Sequence, residues 1–197
     1  MIPYAAMEAF ILSLAAVSLA ELGDRTQLLA LLLAVRFRKP WAVLAGLAVA
    51  SVGIHGLSAG VGMSIGQFVD QQVLGWIVGA LFVGMGIWVL VPEEAHADDR
   101  PRETGRGAFV TAMITFFLME IGDKTQLTSM AMAAHFETVI PVMMGATFAM
   151  LLVNAPVIWL GHKFADRIPM RTVRVLAALV FIAIGLWILW ETGFNNA

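Results

Sequence analysis

Hydrophobic residues fall in six long runs, near 7–34, 41–66, 73–91, 108–134, 138–161 and 172–191, and little of the 197-residue chain lies outside them. A bilayer crossing takes about 20 helical residues, and each run meets that length or nearly so. The pattern predicts an all-α, polytopic membrane protein of six transmembrane helices. The one polar stretch of any length, Pro92 to Gly107, separates the third run from the fourth. Charged residues also occur inside the first and fourth runs, where apolar ones would be expected, and there they form a pattern.

That pattern is the octet Glu21-Leu22-Gly23-Asp24-Arg25-Thr26-Gln27-Leu28. It returns 99 residues later as Glu120-Ile121-Gly122-Asp123-Lys124-Thr125-Gln126-Leu127, with six of eight positions identical. Sliding residues 21–90 onto 120–189 needs no gap and gives sixteen identities in seventy positions. They include Phe37/Phe136, Gly46/Gly145, Gly62/Gly161, Phe82/Phe181, Gly86/Gly185 and Trp88/Trp187. The chain thus divides into a first three-helix repeat (1–91), an acidic linker (92–107) and a second three-helix repeat (108–197). An odd number of spans per repeat makes the second enter the membrane from the opposite side, the inverted-repeat plan of many secondary transporters. In the third span, Gly75 and Gly79 form a GxxxG face for close helix contact, either between copies of the chain or within one.

Composition agrees with this reading. The chain is 60% hydrophobic and 13% charged, with a mean hydropathy of +0.85, whereas a soluble domain carries about a quarter charged residues. With no Cys there is no disulfide framework and no thiolate metal site. The net charge of -2 says less than its distribution. Of the twelve Lys and Arg, Arg25 and Lys124 belong to the octets. The other ten (Arg36, Arg38, Lys39, Arg100, Arg102, Arg106, Lys163, Arg167, Arg171 and Arg174) all fall in the first, third and fifth connections. By the positive-inside rule those connections are cytoplasmic and both termini lie outside.

Ionisable residues within spans are costly and mark functional sites. On an uninterrupted helix Glu21 and Asp24 point about 60° apart, Arg25 about 40° to the other side of Glu21, and Thr26 about 140° away from it. The Gly at the third position admits either close packing or a helix break that frees backbone carbonyls as ligands. Inverted symmetry would bring Glu21, Asp24, Glu120 and Asp123 together at the midplane as metal ligands. Four carboxylates against two cations leave two negative charges, which one divalent cation or two protons neutralise. Oxygen donors favour calcium, magnesium or manganese over copper or zinc. Thr26, Gln27, Thr125 and Gln126 are candidate additional ligands, and Arg25 and Lys124 read as counter-charges rather than ligands. His55 and its repeat-mate Asn154 suit a polar contact between helices, or a supporting group or proton relay. The metal is cargo, and no prosthetic group and no nucleic-acid partner are expected. The spans hold no nucleophile–base pair, no HExxH and no phosphate-cradling loop, so no enzyme is expected.

The paired E-x-G-D-[KR]-[TS] motifs resemble the signature of a small membrane family that includes Golgi and chloroplast manganese/calcium transporters and bacterial manganese exporters. The resemblance covers essentially the whole chain, and both copies fit the motif, one with Arg and one with Lys. It implies movement of manganese or calcium against protons, with Glu21, Asp24, Glu120 and Asp123 as the core site. Length and the lack of a transit peptide resemble the bacterial members, which implies manganese efflux from a multi-pass protein of the bacterial inner membrane, with periplasmic termini. Two other classes remain open on sequence: a proton-coupled exporter of small organic cations or amino acids, and a non-transporting membrane scaffold in which the octets only pair with each other.

Overall fold

The computed structural model describes residues 4–22, 24–90, 107–160 and 170–194. Most of the acidic linker lies outside them. The described residues form eight helices and no strand. In chain order these are α1 (Tyr4–Glu21), α2 (Arg25–Phe37), α3 (Pro40–Gly66), α4 (Gln71–Val89), α5 (Ala108–Glu120), α6 (Lys124–Phe136), α7 (Ile140–Leu160) and α8 (Met170–Phe194). Four of them, α1, α3, α7 and α8, are long and apolar enough to cross a membrane. Leu57, Val61, Leu179 and Leu186 face outward, while Glu21, Asp24, Glu120, Asp123 and Lys124 are buried. Apolar outside with charge inside is the arrangement an apolar solvent selects.

The first and fourth hydrophobic runs are not continuous helices. Each breaks inside its octet, after Glu21 and after Glu120, and resumes as a 13-residue helix, α2 or α6. The two short helices match closely. Asp24 (φ -80, ψ 162) and Asp123 (φ -80, ψ 164) precede them with the same extended backbone. Arg38 (φ 51) and Glu137 (φ 50), again 99 residues apart, end them in the left-handed conformation. Pro40 opens α3 at a position that needs no N–H. Asp70 caps α4, its Oδ1 accepting the Gln72 N–H at 2.9 Å.

Helices pair mainly across the halves: α1 packs along α7, α5 along α3, and α4 along α8. The repeat's shared glycines make these crossings close. A Cβ on Gly46 would lie 2.6 Å from the Phe109 carbonyl oxygen of α5, and one on Gly145 would lie 2.5 Å from that of Phe10 in α1. The shared pair Gly86 and Gly185, together with Gly79, brings α4 and α8 together, and Phe82 meets its repeat-mate Phe181 at 5.7 Å between ring centroids. Gly75 abuts Thr192 and Gly79 abuts Leu189. The GxxxG face is therefore used within the chain.

Candidate metal centre

The breaks place the chemistry. Gly122 turns the chain at φ +80, a conformation open to Gly at little cost; Gly23 lies outside the described residues. The turn puts Asp123 at the N-cap of α6, and Asp24 takes the same position on α2. An N-cap Asp ordinarily bonds its carboxylate back onto the first N–H groups of its own helix, yet neither does so here. Instead carboxylate oxygens of Glu21, Asp24 and Asp123 gather within 4.8 Å of one another, in the buried interior. The positive N-terminal ends of α2 and α6 begin at this cluster, which favours negative charge there.

Within each octet the Thr holds the Glu. Thr26 Oγ1 donates to Glu21 Oε2 at 2.5 Å and lies 3.5 Å from Asp24 Oδ2. Thr125 Oγ1 donates to Glu120 Oε2 at 2.7 Å and lies 3.3 Å from Asp123 Oδ2. This corrects the helical expectation that Thr26 points away from Glu21: the break returns it to the same side. Each Glu keeps its other oxygen, Oε1, buried and without a hydrogen-bond partner. An unsatisfied buried carboxylate oxygen is costly, and these two are open to a cation or a proton. Glu120 lies near enough to Glu21, Asp24 and Asp123 for their charges to interact, although it is not in the tight group of three.

The halves are joined by an ion pair. Lys124 Nζ, from the first residue of α6, donates to Asp24 Oδ1 at 2.7 Å, with both side chains almost wholly buried. The Arg25 side chain lies outside the described residues. The glutamines stand to the side: Gln27 Nε2 reaches the Val153 carbonyl of α7 at 3.5 Å, and Gln126 Oε1 accepts the Gly122 N–H at 2.7 Å. Asn154 Nδ2 donates to the Met150 carbonyl of its own helix. His55 Nδ1 meets Ser129 Oγ at 2.9 Å, and Ser129 in turn donates to the Thr125 carbonyl at 3.0 Å. That hydroxyl has one hydrogen, already committed to Thr125, so the geometry makes His55 Nδ1 the donor. Sequence reasoning missed Ser129. The available signal was a polar residue in an apolar run whose repeat-mate, Ala30, is not polar.

The spread of the three carboxylates fits a single ion. Oxygens on opposite sides of magnesium lie about 4.2 Å apart, and of calcium about 4.8 Å. Comparison with known proteins agrees with this chemistry. The sequence model of the family described as "Divalent cation/proton antiporter GDT1" matches residues 9–97 and again residues 108–196. A Vibrio cholerae protein named "Putative manganese exporter" is 36% identical over 181 residues, which span 91% of this chain and 90% of that one. "GDT1-like protein 4" of Oryza sativa is 25% identical, covering 91% of this chain and 72% of its own. "GDT1-like protein sll0615" of Synechocystis is 27% identical, covering 89% and 93%. No solved structure matches. A duplicated motif, carboxylates from both copies gathered in an apolar bundle, and a family match over each half lead to one conclusion: the chain belongs to the GDT1 family of divalent cation/proton antiporters.

Proposed function

We propose that this protein exports Mn2+ in exchange for protons, holding the ion between its two octets. The observation that carries the reading is the convergence of Glu21, Asp24 and Asp123, drawn from both octets, within 4.8 Å in a buried interior. Glu120, held by Thr125 and with one oxygen unpartnered, completes the set. Manganese is chosen over calcium because the relative at 36% identity is named for manganese export. A cluster this tight suits one metal ion better than an organic cation. A scaffold would gain nothing from carboxylate oxygens buried without donors.

In this reading the six hydrophobic runs cross the bilayer as two inverted repeats (1–91 and 108–197), with the first and fourth crossings broken at the octets. Linker 92–107 is cytoplasmic, both termini are periplasmic, and the membrane is the bacterial inner membrane. The family match to each half, the identical ends of α2 and α6, and the pairing of helices across the halves support the duplication. The clustering of ten basic residues in or next to three connections supports the orientation. Alternating access follows if the repeats rock about this shared site. Mn2+ enters from the cytoplasm, the carboxylates take it, and protons bound to the same oxygens from outside release it.

The test is Mn2+ flux into liposomes containing the purified protein, with and without a pH gradient. Wild type is run beside Glu21→Gln and Glu120→Gln, with Ca2+ and Mg2+ as competitors. Gradient-dependent flux that is lost in both variants is the expected result. Full flux in both folded variants would overturn the assignment.

A further inference from the structure

Lys124 occupies a costly position. It is the first residue of α6, where the helix dipole repels a positive charge, and it is 5% exposed. Its ammonium is held there by the carboxylates, at 2.7 Å from Asp24 Oδ1. Asp24 is also one of the three residues whose oxygens converge within 4.8 Å. An ammonium has three donors and no lone pair, so it competes for carboxylate oxygens and does not bind a metal. Its charge is a point on a flexible four-carbon stem, so it can withdraw without moving the backbone.

We infer that Lys124 is a tethered competing cation: it pairs with Asp24 when no metal is bound, gives way when a divalent ion enters, and returns to help expel it. This rests on the reading of the octets as a divalent-cation site and goes further, assigning the Lys a step in the cycle. Removing the Lys charge makes this buried site one unit more negative, so a divalent ion binds more tightly and leaves more slowly. A merely structural ion pair predicts the reverse, because losing Lys124 would strand Asp24 and loosen the site.

Two variants test this at one fixed pH, with Mn2+ binding to detergent-purified protein measured by titration calorimetry, Mn2+ flux in liposomes, and thermal unfolding as the control for fold. In Lys124→Gln, Mn2+ affinity should rise by about tenfold or more, the scale of a buried pairwise coupling, while the flux rate falls. In Lys124→Arg, a planar fork grips the carboxylate with two hydrogen bonds, so Mn2+ affinity should fall. Opposite shifts in the two variants support the inference. Equal or weaker binding in folded Lys124→Gln overturns it. Should Lys124→Gln fail to fold, unchanged or tighter binding in Lys124→Arg overturns it. Wild-type protein that is folded yet binds no Mn2+ removes the underlying site, whereas wild-type binding unaffected by either variant removes only the role of Lys124.

Discussion

The two octets are copies whose inner surfaces agree and whose supports differ. In both, a Thr hydroxyl holds the Glu, an extended Asp begins the following helix, and one Glu oxygen is left unpartnered. Behind this shared face the second octet is braced. Ser129 bonds the Thr125 carbonyl and reaches His55 on α3, tying α6 to the neighbouring helix. At the equivalent places behind the first octet stand Ala30 on α2 and Asn154 on α7, and Asn154 bonds only within α7. Duplication preserved the buried carboxylate face and let the scaffolding drift. The halves therefore share one chemistry without being mechanically interchangeable.

The largest effect should come from breaking what the octets share. Thr26→Val and Thr125→Val keep the shape of the side chain but remove the hydroxyl that holds each Glu. Each should lower Mn2+ flux by about tenfold to a hundredfold, the scale of losing a hydrogen bond to a charged group. The two losses should be similar, and a large effect in one half alone would show that the ion uses only one octet. Next come the paired crossings. Gly46→Ala and Gly145→Ala each set a methyl against the backbone of the facing helix, at 2.6 Å and 2.5 Å from a carbonyl oxygen. Each should cost about 3 kcal/mol, the upper range for overpacking, read as a matching fall in unfolding temperature.

Where the halves differ, the effects should diverge. Ser129→Ala leaves the His55 N–H buried without its acceptor and should cost about 1–2 kcal/mol. Asn154→Leu removes an oxygen that already has no partner and an N–H that bonds only its own helix, so its cost should be about 1 kcal/mol or less. Thermal unfolding of both variants decides it, and equal losses would mean that the brace is no brace.

Much of this was legible in the sequence because the repeat filters it. Many residues kept at a 99-residue offset are buried octet side chains or close contacts, among them Gly46/Gly145, Phe82/Phe181 and Gly86/Gly185, while Trp88 and Trp187 stand exposed. What escaped depends on three-dimensional geometry. An ideal helix turns Thr26 away from Glu21, and only the break, one of two options a Gly permits, turns it back. The choice of Asp24 as the partner of Lys124, 100 residues away, rests on the fold bringing the starts of α2 and α6 together and leaves no trace in spacing. Gln126 is a candidate additional ligand on sequence, and spacing does not reveal that its oxygen accepts the Gly122 N–H at the turn. His55 was visible as a polar residue in a span, while its partner Ser129 was visible only as a place where the repeats disagree.

The smallest effect has the opposite sign and sharpens the same comparison. Gly84 on α4 has nothing within 4 Å of where a Cβ would sit, and its counterpart in the second repeat is already Ala183. Two residues further, Gly86 is shared by both repeats, and a Cβ there would lie 2.7 Å from Ile182 and 2.9 Å from the Ala178 carbonyl. Gly84→Ala makes the halves more alike on an open helix face and should add about 0.5 kcal/mol of stability through backbone entropy, with flux unchanged. Gly86→Ala should destabilise instead, because it fills the space in which α4 and α8 meet. If both substitutions were neutral, the α4–α8 crossing would be looser than its glycines indicate. The glycines kept in both repeats would then owe their retention to something other than contact.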